Sequence, residues 1–285
     1  MSSPGRRLYE WLASLLHPCT RAATRPSAVQ CALSVLLIWC AGINFDVEGQ
    51  YNHTLRGGLT SLVCEMQTAL RAALPAATLT FDLDITPNNP TIQGGYDYPA
   101  LSRCLSHIVP MAYDMTGRSV APNAPLSAVV GGLQQYKALG IAPSKLVVAL
   151  PWYAYDFTCA AAAPDVPCVL SPAGHHGDWY KVHRQLGYGQ LLDLYDAMGQ
   201  PNITYDRASQ SKWFDYTNRT TLKRHRVSFD DPETLLPKYA GLLDAGVAGV
   251  GAWTVDATHR GDVGATAAAA RAMWAAVRQA TQSAV

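Results

Sequence analysis

Beyond residue 41 the chain alternates short apolar, β-branched runs with longer stretches whose apolar residues recur three and four apart. This is the pattern of parallel strands joined by crossover helices. Residues 43–47 read as a first strand. A helix follows over about 55–74, with Leu59, Leu62, Val63, Met66 and Leu70 on one face. Residues 78–84 form a second strand and 107–113 a third, followed by a helix over 126–139 that Gly140 stops. The run 145–152 is almost continuously apolar, as expected of a strand covered on both faces. An insertion occupies about 154–231, within which 212–216 and 224–229 read as a hairpin. A helix over 232–243, a strand over 249–254 and an alanine-rich helix over 265–280 complete five strand–helix units.

Residues 1–40 lack strand-like runs and form an atypical N-terminal segment, either unordered or a lone helix. Its apolar stretch, 28–40, is shorter than the roughly 20 residues a membrane span needs. Arg6, Arg7, Arg21 and Arg25 precede it, which fits a signal peptide, although a helix packing on the next strand fits better. Residues 41–285 form the main domain, insertion included.

In a strand, residues two apart share a face, so Asn44, Asp46 and Glu48 line up while Ile43, Phe45 and Val47 point the other way. Such a polar run is costly in a core without a purpose. Two acids this close do not both ionise cheaply, so one carboxyl should hold its proton, a state that suits Glu48 to protonating a leaving oxygen. The plainer alternative is a strand with a polar edge.

Composition narrows the chemistry. In 285 residues, 22 basic side chains balance 21 acidic ones, and their scatter leaves no footprint for a nucleic acid backbone. A neutral sugar needs no such field. Seven cysteines are too few for a disulfide scaffold and show no zinc spacing, but Cys159 and Cys168 lie in one Pro/Ala-rich loop and can bridge locally. His175 and His176 have no partners at metal-ligand spacing. Asn52, Asn202 and Asn218 each begin an Asn-x-Thr glycosylation sequon, in keeping with a secretory route.

The run Asn44-Phe45-Asp46-Val47-Glu48 resembles the Asp-x-x-Asp-x-Asp-x-Glu signature of the family 18 glycoside hydrolases, with Asn44 as in the di-N-acetylchitobiase branch and Ala41 in place of the first Asp. Other motifs follow in order. Pro110-Met111-Ala112-Tyr113-Asp114 resembles the Met-x-Tyr-Asp of the sixth strand, and Pro151-Trp152-Tyr153-Ala154-Tyr155-Asp156-Phe157-Thr158-Cys159 the chitobiase stretch after the seventh. Gly249-Val250-Gly251-Ala252-Trp253 resembles the last strand. The resemblance covers about 42–274.

It implies an α/β fold, a partial (β/α)8 TIM barrel made of about the last five strand–helix units, open at both edges, with an insertion after the seventh strand. The chain would be N-terminally incomplete. The implied reaction is substrate-assisted retention on an N-acetylglucosamine-containing oligosaccharide, without metal or organic cofactor. Glu48 would be the acid and base, Asp46 would hold the acetamido nitrogen, and Tyr113 would donate to the acetamido carbonyl. Asn44 and Asp114 would contact the sugar, Trp253 would stack on it, and Cys168 would bridge to Cys159. Ala41 would weaken the tuning of the acids. Trp152, Tyr153 and Tyr155 could equally be packing residues and stay outside the catalytic set. A monomer that is lysosomal or secreted follows by the same resemblance. The competing readings are a glycan-binding protein without catalysis, an endo-acting glycosidase, and a truncated product without function.

Overall fold

The structure, a computed structural model, describes residues 41–49, 53–87, 95–117, 119–170 and 183–283. The segment 1–40, the sequon at Asn52 and the His175-His176 pair lie outside the described residues. The chain divides into two compact units, one from residues up to 82 with 88–108, the other from 83–87 with 109–285.

In the first unit, strand β1 (Gly42–Phe45) runs parallel to β2 (Thr78–Asp84), with Gly42 beside Thr78 and Phe45 beside Phe81. Gly42 is required there, because a Cβ would lie 2.1 Å from the Thr78 carbonyl oxygen. Phe45 packs on Phe81, and Phe81 meets the Tyr96 ring edge-on. The Tyr96 hydroxyl donates to the Val47 carbonyl at 2.6 Å and so fixes the chain just past β1. Helix α1 (His53–Ala73) buries Leu59, Val63 and Leu70, as its periodicity predicts. A short helix, α2 (Tyr98–Cys104), is capped by the Asp97 carboxylate and was not legible in the sequence.

Cys64 of α1 is bridged to Cys104 of α2, a pairing that no local spacing announces. The bridge closes a 40-residue separation, so a Cys64→Ala/Cys104→Ala double variant is expected to lose about 4 kcal/mol by loop-closure entropy. Urea unfolding followed by fluorescence reads the difference.

In the second unit, Met111 of β3 (His107–Met111) lies beside Ala149 of β4 (Val147–Pro151), the two strands running parallel. β4 in turn pairs in parallel with β10 (Gly249–Trp253), Pro151 beside Trp253. Val148 and Leu150 are fully buried. The strand expected at 145–152 starts later, because Pro143–Lys145 forms a 3-10 turn. Helices α3 (Leu126–Ala138), α5 (Pro232–Asp244) and α6 (Val263–Ser283) lie within one or a few residues of their expected bounds. Asp231 caps α5, its carboxylate accepting from the Glu233 and Thr234 amides, with Pro232 in the first turn. The strands β1, β2, β3, β4 and β10 are the five read from the sequence.

The insertion is more than a hairpin. It forms a second, antiparallel sheet in the order β6-β5-β9-β8-β7, from β5 (Tyr153–Thr158), β6 (His183–Gly187), β7 (Thr204–Asp206), β8 (Ser211–Thr217) and β9 (Arg224–Phe229). Helix α4 (Tyr188–Ala197) follows β6. The expected pairing of 212–216 with 224–229 is the β8–β9 ladder, from Lys212 beside Phe229 to Thr217 beside Arg224. Cys159 is bonded to Cys168 at the end of β5. Among the described residues no helix is long and apolar enough to cross a membrane.

Candidate active site

Two sets of side chains stand out, one in each unit. In the first, Asn44, Asp46 and Glu48 are exposed while Ile43, Phe45 and Val47 between them are partly buried. The alternation expected of a strand therefore continues past the last paired residue, Phe45. Asn44 is held at both ends of its amide: its oxygen accepts from the Thr80 hydroxyl at 2.6 Å, and its nitrogen donates to the Asp82 carboxylate at 2.7 Å. Burial pushes the Asp82 carboxyl up to about 6, the Asn44 bond works against this, and the charges of Asp46 and Glu48 add to the rise.

Asp82 is thus a member of the acidic set that reading β1 alone missed. The available signal was the alternation of Thr80 and Asp82 on β2, which becomes informative only once the register with β1 is known.

In the second unit, Tyr113 lies just past β3, and Trp253 ends β10 with 49% of its surface exposed. Their rings stack, with centroids 6.1 Å apart and planes 20° from parallel. Such a flat, half-exposed apolar face suits a sugar ring. Asp114 takes a left-handed backbone conformation, φ 58°, and its amide donates to the Asn123 side-chain oxygen at 2.7 Å. Asn123 is itself buried and donates to the Tyr153 carbonyl.

The Asp114 carboxylate accepts from the Tyr153 hydroxyl and, at 2.5 Å, from the Tyr155 hydroxyl. Gln185 donates to the Tyr155 oxygen at 3.0 Å. Burial pushes both tyrosine hydroxyls well up, and the Asp114 carboxylate adds to it, so both stay protonated donors. Tyr153 and Tyr155 are therefore polar partners of Asp114 as well as members of the core cluster with Phe157. Trp152 does pack: it is fully buried, with its indole nitrogen donating to Tyr239 at 2.9 Å. Asp114, Tyr155, Gln185 and Arg184 line an open cavity of about 440 Å³.

Among the described residues no group of three or more His, Cys, Asp or Glu is placed to hold a metal ion. Asn202 is exposed, and Asn218 is half-buried with its side-chain oxygen accepting from the Thr220 and Thr221 amides.

Residues 39–257 match the sequence profile of Glycosyl hydrolases family 18. The chain belongs to this family. Among curated relatives, this family 18 hydrolase is 24% identical to di-N-acetylchitobiase of Mus musculus, over 94% of this chain and 74% of that protein. It is 25% identical to the di-N-acetylchitobiase of Homo sapiens over 75% of this chain, spanning 57% of the human protein. Of solved structures, the Group IV chitinase of Ostrinia furnacalis, in complex with allosamidin, superposes with a TM-score of 0.73 at 18% identity, over 90% of this chain and 72% of that one. A Class V chitinase from Nicotiana tobaccum gives 0.70 at 19% identity, over 86% and 72%. These likenesses show the α/β fold of the family 18 hydrolase, with its parallel sheet.

Proposed function

We propose that this family 18 hydrolase cleaves the β-1,4 bond of N,N'-diacetylchitobiose cores by substrate-assisted retention, with Glu48 as acid and base. The observation that carries this reading is the exposed row Asn44, Asp46, Glu48 on one face of an otherwise apolar strand, with Asn44 braced by Thr80 and Asp82.

In the first step the substrate's acetamido oxygen attacks its own anomeric carbon while Glu48 passes its proton to the departing glycosidic oxygen. Asp46 accepts from the acetamido N–H and offsets the positive charge of the oxazolinium that forms. In the second step the ionised Glu48 takes a proton from water as that water attacks the anomeric carbon, which regenerates the acid. Tyr113 donates to the acetamido carbonyl, Trp253 stacks on the sugar's apolar face, and Asp114 binds a hydroxyl or amide. The Cys64–Cys104 and Cys159–Cys168 disulfides and the exposed sequon at Asn202 support a lysosomal or secreted protein. A partial eight-stranded barrel, of which this chain supplies five parallel strands, is the architecture this reading assumes.

The test is hydrolysis of chitobiose and of longer N-acetylglucosamine chains, with the first-formed anomer followed by proton NMR. Release of the β-anomer from the disaccharide supports the reading, and an α-anomer overturns the retaining mechanism. Preference for polymer would favour an endo-acting enzyme. A folded chain that binds the sugars and releases nothing would be a glycan-binding protein.

A further inference from the structure

We propose that Asp82 is a positioning residue for this hydrolysis: its carboxylate, tied to β1 through Asn44, keeps the working proton on Glu48 as the pH rises. The inference rests on the proposed role of Glu48.

The parallel register places Phe45 beside Phe81, so Asp46 and Asp82 are the next residues on neighbouring strands. The side chains share a face, because Thr80, two residues before Asp82, reaches Asn44, two residues before Asp46. The contact between Asn44 and Asp82, at 2.7 Å, fixes the carboxylate in place. The charged groups that act on it are Asp46 and Glu48, and among the described residues no basic side chain of the first unit is ion-paired to it.

The proton balance follows from these placements. Below about pH 6 Asp82 carries its own proton and adds no charge to the set. Above that it ionises, and its added negative charge disfavours loss of the proton from Glu48. The acid form of Glu48 therefore persists to higher pH than two carboxylates alone would allow. A carboxylate serving only to hold Asn44 would do that work equally well as an amide.

Asp82→Asn separates the two roles, since it keeps an acceptor for Asn44 and removes the charge. The alkaline limb of the kcat/KM profile on chitobiose is expected to move down by about one pH unit, the acid limb staying where it is. Asp82→Glu, which restores a carboxylate, is expected to return the limb toward its original position. A lower plateau with unmoved limbs would overturn the proposal. Carbon-13 titration of the Glu48 carboxyl in parent and Asp82→Asn provides a readout independent of turnover: its midpoint is expected to fall in the variant, and an equal midpoint would overturn the proposal. An inactive parent whose Glu48 midpoint still responds to Asp82 would sink the reaction and leave the coupling standing.

Discussion

Glu48→Gln is expected to lower chitobiose turnover by about 10²–10⁴-fold, the usual contribution of a general acid–base group, with no change in the unfolding temperature. The glutamine matches the shape of the acid but cannot give a proton to the leaving oxygen. Glu48 lies exposed beyond the paired residues of β1, so the substitution removes no core packing. A substrate whose leaving group needs no proton, such as a nitrophenyl glycoside, should lose less in the bond-breaking step than chitobiose does. Turnover within twofold of the parent in the folded variant would remove Glu48 from the mechanism. Loss of activity together with loss of cooperative unfolding would point to a structural effect instead.

Lys238→Ala is expected to destabilise the fold by about 3–5 kcal/mol, because it strands a buried carboxylate. Lys238 and Asp230 have side-chain exposures of 0% and 1%, and the ammonium donates to Asp230 at 2.7 Å. The same nitrogen reaches the Ala124 carbonyl and the Ser211 hydroxyl. One Asp230 oxygen has no hydrogen-bond partner among the described residues, which makes the pairing of the other matter more. Burial pushes the Asp230 carboxyl up and the Lys238 ammonium down, while each partner works against the shift of the other.

The sign of the pH effect follows. A carboxyl raised above its unfolded value stabilises the fold relatively at pH below that value, and the advantage is lost as pH rises through the folded value. With Lys238 gone, the largest opposition to the rise at Asp230 is lost, and only the hydrogen bonds from Thr234 and Ser211 still work against it. The deficit of Lys238→Ala relative to the parent should therefore be largest at neutral pH and shrink toward pH 4, as denaturant titrations at the two pH values would read. A joint Lys238→Met/Asp230→Leu variant, which removes both charges, should recover most of the loss. The pair also bears on the second set of site residues, because Ala124 follows Asn123, whose side chain holds the Asp114 amide.

The parts of this fold that were legible in the sequence are those that local pattern determines. β2 begins and ends where its alternation does, and the apolar run around Val148 and Leu150 lies in a strand with both residues fully buried. The row Asn44, Asp46, Glu48 was legible for the same reason, a period of two along one strand.

What escaped depends on relations between segments. Asp82 matters through its register with β1, and Cys64 meets Cys104 only after α1 and α2 have packed. Tyr153 and Tyr155 are buried aromatics on a strand, and nothing in residue type separates a packing tyrosine from one whose hydroxyl reaches Asp114. The second sheet was reduced to its hairpin because β5 and β6 are far apart along the chain, with no turn to announce their pairing.

The outer position of β7 in that sheet has a consequence for life at high concentration. An edge strand presents unpaired amides and carbonyls to any other chain that can add to it. β7 has three residues, Thr204 to Asp206, so it offers an intruding strand very little ladder. Asn202, exposed, stands two residues before it and begins a glycosylation sequon. A glycan there would place a bulky, hydrated group at the margin and discourage fibre-like growth from copy to copy.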